Sequence, residues 1–273
     1  MDVLTPLHDA SAFRKDPRRS LHPSNNTRTR GPSKQLQRLF TLYHEATNEF
    51  LQSQLSERLQ TMLHAKTRPR VSKAVSLGLG SLVEASKDQP RRIKQLVIFM
   101  AIAASIQTSS KFPLYAQDPT FTKTDEEFLG LLGIQVLRTP SASHLGEAGD
   151  LIDAETLVYC PFLTIAAYTQ LLGPAASRSE EAVAPVVIGD DFNALKLKWE
   201  KKTAEHRDVE VLTKEIRRLG YQRRVVGGEG FWKETDHPFP MALYWRQSEQ
   251  PAKVERREEI SEGSSKRPIK GKL

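Results

Sequence analysis

The chain has 273 residues, a mass of 30.8 kDa, a mean hydropathy of -0.47 and a formal charge of +7, enough chain for one substantial core. Its single cysteine, Cys160, excludes an internal disulfide framework. The basic excess sits in the tails, because residues 1–34 hold seven Lys/Arg against three Asp/Glu, residues 246–273 hold eight against five, and residues 35–245 hold 25 of each; so neutral a body argues against a nucleic-acid-binding domain.

Residues 1–33 are rich in Pro, Ser, Asn and Arg, lack periodicity, and read as a disordered basic tail. They hold no apolar stretch of the kind a secretory signal needs. A single domain is expected over residues 34–248, and residues 249–273 read as a second disordered, charged tail. The tails offer a docking surface for an acidic partner. The longest apolar run, Leu96 to Ile106, is shorter than the about 20 residues a bilayer requires. A cytoplasmic or nuclear protein that makes no membrane contact is expected.

A long amphipathic helix is predicted from about Lys34 to Lys66. Leu36, Leu39, Phe40, Tyr43, Phe50, Leu55, Leu59 and Met62 recur at three- and four-residue spacings. Arg68-Pro69-Arg70 ends it. Beyond that point short β-prone runs alternate with helices. Strands are predicted at Val71 to Leu77, Phe112 to Ala116, Ile134 to Leu137, Thr156 to Cys160 and Val183 to Ile188. Helices are predicted at Pro90 to Ile106, from Thr124 to a stop at Gly133, at Leu163 to Leu172, and at Val209 to Leu219. Two closing strands, Gln222 to Val226 and Ala242 to Arg246, flank a Gly227-Gly228 turn region. The alternation predicts an α/β, Rossmann-like, mostly parallel sheet with helices on both faces, preceded by the long helix. The last two strands would give an antiparallel finish of the kind found in methyltransferase-like folds.

Ligands in such folds bind along the carboxy ends of the strands, so the candidate site residues are sought there. Val75-Ser76-Leu77-Gly78-Leu79-Gly80-Ser81 is a strand feeding a glycine turn. Gly78, Gly80 and Ser81 would let backbone amides approach a phosphate or adenosine group. The third glycine of the dinucleotide fingerprint is replaced by Val83, and a tight turn that serves packing alone explains the same residues. Asp118, at the end of the second strand, is placed to accept from a ribose; an Asp-Pro turn is the simpler reading. Pro161 follows the fourth strand, and Gly189-Asp190-Asp191 follows the fifth, with carboxylates that suit a metal, acid/base work or plain solvation. No zinc spacing, Walker loop or nucleophile elbow is present.

In order, the segments Ser76-Leu77-Gly78-Leu79-Gly80-Ser81, Gln95-Leu96, Asp118-Pro119-Thr120-Phe121-Thr122 with Asp125, Phe128-Leu129 and Gly133, Thr156-Leu157 with Pro161, and Ile188-Gly189 with Phe192 resemble the SRR-like (sensitivity-to-red-light-reduced) family. The resemblance spans about residues 71–192 and suits a fungal-type member. Two departures stand out. The family often has Pro-His-Cys where this chain has Pro161-Phe162-Leu163, and it tends to have Gly-Asn where this chain has Gly189-Asp190. The resemblance implies a regulatory protein, tied to light and circadian signalling or to haem metabolism, that works through protein partners. It implies no defined reaction. A nucleotide-like ligand, S-adenosylmethionine or another, would sit among Gly78, Gly80, Ser81, Asp118, Asp125, Pro161, Gly189 and Asp190. The alternative expectation is a divergent S-adenosylmethionine-dependent methyltransferase.

Overall fold

The computed structural model describes residues 33–64, 69–107, 111–173, 183–227, 230–236 and 240–246. Both predicted disordered tails and the Gly228 half of the predicted closing turn lie outside the described residues. Five strands run parallel: β1 (Lys73–Leu77), β2 (Leu114–Gln117), β3 (Ile134–Leu137), β4 (Thr156–Cys160) and β5 (Val186–Asp190). Strand β7 (Met241–Arg246) pairs antiparallel with both β5 and β6 (Tyr221–Val226). The sheet order is β3-β2-β1-β4-β5-β7-β6. The order reverses between β1 and β4, so loops from both halves of the sheet meet there in a crevice.

Helices cover both faces, as the alternation of strands and helices requires. One face carries α1 (Lys34–Leu51), α2 (Gln54–Leu63), α3 (Gln89–Ile106) and α4 (Lys123–Leu131), packed on Ala74, Leu157, Tyr159 and Ile188. The other carries α5 (Gly146–Leu151), α6 (Ile165–Leu172), α7 (Phe192–Lys198) and α8 (Ala204–Arg218), packed on Val75, Leu77, Val158, Cys160 and Val187. Every residue of β4 and β5 is buried, which is why these strands read as unbroken apolar runs rather than alternating ones. Each fully buried Leu or Ile of these two layers contributes about 1.5–3 kcal/mol.

The long first helix is interrupted. Ser53 leaves the helical conformation, its hydroxyl donates to the Phe50 carbonyl, and the same oxygen accepts from the Ser56 N–H to start α2. This local competition between serine and backbone is invisible to a count of apolar spacings. Helices α5 and α7 were not expected, since six and seven residues hold too little periodicity to register. Helix α8 begins earlier than its apolar stripe because Thr203 caps it. Helix α4 is capped by Thr122 rather than at Thr124, with Asp125 closing a capping box. Among the described residues no helix is long and apolar enough to cross a membrane.

Candidate ligand site at the carboxy edge of the sheet

The glycine turn after β1 forms as its sequence demands, with Gly78 and Gly80 at φ of +73° and +76°, where a side chain would be strained. Its amides, however, are already used. The Gly80 N–H donates to Asp118 Oδ2 at 2.8 Å, and the Ser81 N–H donates to Thr120 Oγ1 at 3.0 Å. The next two, from Leu82 and Val83, donate to Asp125 Oδ1 at 2.8 and 2.9 Å. Asp125 is fully buried, and its second oxygen accepts from Ser81 Oγ, Thr122 N–H and Thr122 Oγ1 at 2.8–2.9 Å. Five donors around one buried carboxylate make that burial tolerable. The Arg92 side chain closes the turn from α3, donating to the Ser81 carbonyl at 2.8 Å and lying 2.8 Å from where a Cβ on Gly80 would be.

Asp118 is likewise engaged by protein. Its Oδ1 accepts from Thr120 N–H at 2.8 Å and Thr120 Oγ1 at 2.6 Å. The arrangement leaves the turn shaped like an anion cradle whose anions are the chain's own side chains. A cleft of about 100 Å³ opens beside it, lined by Gly78, Gln117, Asp118, His144, Phe162 and Thr164 among others. Whole small-molecule ligands usually occupy about 300–1,000 Å³. A resident S-adenosylmethionine therefore does not fit these residues as they stand: the amides that would receive its carboxylate are taken, and the cleft is too small.

Asp190, at the end of β5, lies on the other side of the crevice. Both its oxygens accept from the Phe162 N–H at 3.2 Å, and Tyr168 Oη lies 3.2 Å from Oδ2. The Tyr168 hydroxyl donates to the Cys160 carbonyl at 2.6 Å and accepts from the Asp190 N–H at 2.9 Å. Gly189 is required here, because a Cβ on it would lie 2.6 Å from Tyr168 Oη and 3.1 Å from Cys160 Sγ. Burial pushes the Asp190 carboxyl up to about 6, against the opposing pull of the Phe162 N–H, the Tyr168 hydroxyl and the Lys198 charge. Phe162 itself sits at φ +65°, a costly conformation for an aromatic residue, with the Arg91 guanidinium 4.6 Å from its ring centroid. Burial also raises the Cys160 thiol well above its ordinary value, which leaves it inert as a nucleophile.

The structure thus brings the eight candidate residues to one edge but divides them. Gly78 and Asp118 line the cleft; Gly80, Ser81 and Asp125 form the sealed turn beside it. Pro161 precedes the strained Phe162, and Gly189 and Asp190 lie buried beneath it. Asp191 does not join Asp190 as a pair of working acids. It caps α7 and takes a bidentate ion pair from Arg223. Among the described residues no group of three or more His, Cys, Asp or Glu is arranged to hold a metal ion. Sequence reasoning missed Gln117, Thr120, Arg92, Phe162 and Tyr168 as parts of this edge. The one signal that could have flagged Gln117 is a polar residue at the end of a strand, directly before the acid.

A larger groove of about 460 Å³ lies away from this edge, between α1, the start of α3 and the turn at Glu234–Asp236. Its buried Lys94 donates to Asp236 Oδ2 and to the Phe231 carbonyl, both at 2.7 Å. That charge is closed on its own chain and ties the turn to the helix layer. Elsewhere on the α3 face, Ser76 and Tyr159 are register partners whose hydroxyls have no hydrogen-bond partner, and Gln95 Nε2 is in the same state.

A protein-family model described as the SRR1 domain matches residues 48–256. None of the curated proteins matches. Similar solved structures include the cofactor-bound Rv0187 from MTB, 10% identical over 82% of this chain and 94% of that one, with a TM-score of 0.40. The Methanococcus jannaschii fibrillarin pre-rRNA processing protein is 14% identical over 67% of this chain and 70% of its own, with a TM-score of 0.36. Aeropyrum pernix fibrillarin with natively bound S-adenosyl-L-methionine is 10% identical over 72% and 76%, with a TM-score of 0.37. At such identities and scores none of these carries its ligand over, and the fold assignment rests on the strand order and directions.

Proposed function

The chain belongs to the SRR1 domain family, and from that premise we propose that it is a regulatory, non-enzymatic α/β protein acting through protein partners. Any small ligand would be held at the carboxy edge of the sheet. A fungal-type lineage, a cytoplasmic or nuclear site of action, and a part in light, circadian or haem-metabolic control belong to the same proposal. The observation that supports it is the sealed glycine turn. Four consecutive N–H groups, from Gly80 to Val83, end on Asp118, Thr120 and Asp125. A catalytic cofactor site keeps such groups for its cofactor; here they hold the turn shut.

Calorimetric titration of the full chain with S-adenosylmethionine and, separately, with adenosine tests this. The expected result is that the methionine portion adds nothing, so the two affinities agree within about threefold. S-adenosylmethionine binding a hundredfold more tightly than adenosine, about 2.7 kcal/mol, would mean that the turn opens to receive the methionine, and would overturn the proposal. The second reading, a divergent methyltransferase, draws on the placement of antiparallel β7 between β5 and β6. That titration decides between the two.

A further inference from the structure

We propose that the cleft at the carboxy edge is a site for an uncharged nucleobase or nucleoside, read by Gln117 and Asp118 and built without any hold on phosphate. The inference rests on the proposed function only in taking this edge as the ligand face. Gln117 is the last residue of β2 and is 4% exposed. Its side-chain carbonyl accepts from the Ala148 N–H at 3.0 Å, which fixes which way the amide is turned. The amide nitrogen, with two N–H donors, is left as the end without a partner among the described residues, on a side chain that lines the cleft. A buried amide is seldom left with unused donors unless something outside the fold completes it.

Asp118 supplies the complementary acceptor. Its Oδ1 already takes two bonds from Thr120, whereas Oδ2 takes only the one from Gly80. A carboxylate oxygen has room for two, so one acceptor position remains. A donor and an acceptor from adjacent residues, set in a slot walled by Leu77, Pro119, Phe162 and Leu163, match the edge of a planar heterocycle. The size agrees, because about 100 Å³ is of the order of the roughly 150 Å³ that admits one benzene ring. The charge decides the class. The lining contains no Lys or Arg, its one ionic group is the Asp118 carboxylate, and the neighbouring amides are used. A phosphate would meet a negative charge with nothing to neutralise it.

Titrating the full chain by calorimetry with adenosine, guanosine, cytidine and uridine, and with their 5′-triphosphates, tests the site. At least one nucleoside is expected to bind, its triphosphate no more tightly. Gln117→Glu keeps the acceptor for the Ala148 N–H and removes both donors, so it should weaken that nucleoside about tenfold or more. In the wild-type protein the Gln117 side-chain amide signals should move on saturation with the same nucleoside, a readout that needs no variant to fold. The proposal is overturned by silence from all four nucleosides at millimolar concentration, by a triphosphate binding tenfold more tightly than its nucleoside, or by Gln117 amide signals that stay still. Silence of the nucleosides would leave the regulatory reading standing. Tight binding of S-adenosylmethionine relative to adenosine would remove that reading and leave the base site intact.

Discussion

The two corners of the carboxy edge handle the same problem, a buried aspartate, in opposite ways. At the β1–β2 corner Asp125 is wholly enclosed yet surrounded by five donors at 2.8–2.9 Å. At the β4–β5 corner Asp190 receives only the Phe162 N–H and the Tyr168 hydroxyl, all at 3.2 Å, and burial pushes its carboxyl up to about 6. The first corner uses its acid as a permanent internal anion that replaces a ligand. The second carries an incompletely solvated acid beneath a strained backbone. The number and length of donated bonds, not burial alone, decide whether an acid inside the protein is a fastener or a weak point.

Asp125→Ala should break the contrast most severely. It leaves the Leu82 and Val83 amides and two hydroxyls without their acceptor, and a loss of about 3–5 kcal/mol in urea unfolding is expected. A loss below 1 kcal/mol would show that the turn does not depend on its internal anion. The β4–β5 corner is probed by pH. Asp190 holds its proton more tightly in the folded chain, at about 6, than at its ordinary value of 3.8. Its contribution to stability is therefore fully present below pH 3.8 and is lost as pH rises through about 6. Across that window Asp190→Asn should gain about 2–3 kcal/mol relative to the wild type. Parallel stability-versus-pH curves for the two proteins would refute the raised pKa. The variant also restores the Gly-Asn pair that the family resemblance led one to expect.

Gly189→Ala should cost about 1–3 kcal/mol in the same unfolding measurement, because its methyl group meets the Tyr168 hydroxyl that holds β4, β5 and α6 together. Asp118→Ala is expected to have the smallest effect, about 1–2 kcal/mol, since the carboxylate is only half-buried and water reaches the freed donors. Should Asp118→Ala prove as damaging as Asp125→Ala, the turn would be a single network rather than one fastener with a lighter partner.

Much of this edge was legible from residues alone. The glycines at 78 and 80 announced a turn in the left-handed region, and Asp118 and Asp125 fell in order behind it. Their partners were not legible. Nothing local to Gly80 indicates that its amide belongs to an acid 38 positions later, so Asp118 read as a group waiting for a ribose. Gln117 was passed over for a related reason: a polar strand end means nothing until the Ala148 amide shows which end of its side chain is free. Asp190 and Asp191 looked like a pair, and adjacency in a strand sends successive side chains to opposite faces. One went inward to Phe162 and Tyr168, the other outward to Arg223.

By itself the sequence determined the layers. Apolar runs of strand length alternate with amphipathic helices, and a chain so patterned can bury its apolar faces only in a parallel sheet covered on both sides. It also determined where the chain must turn, because glycine and proline act through their own backbone. The tertiary structure alone decided whether the glycine turn is open or closed. A hydrogen bond between Gly80 and Asp118, or between Val83 and Asp125, exists only once β1, β2 and α4 have been brought side by side. The fate of each amide is settled by what the fold places within about 3 Å of it.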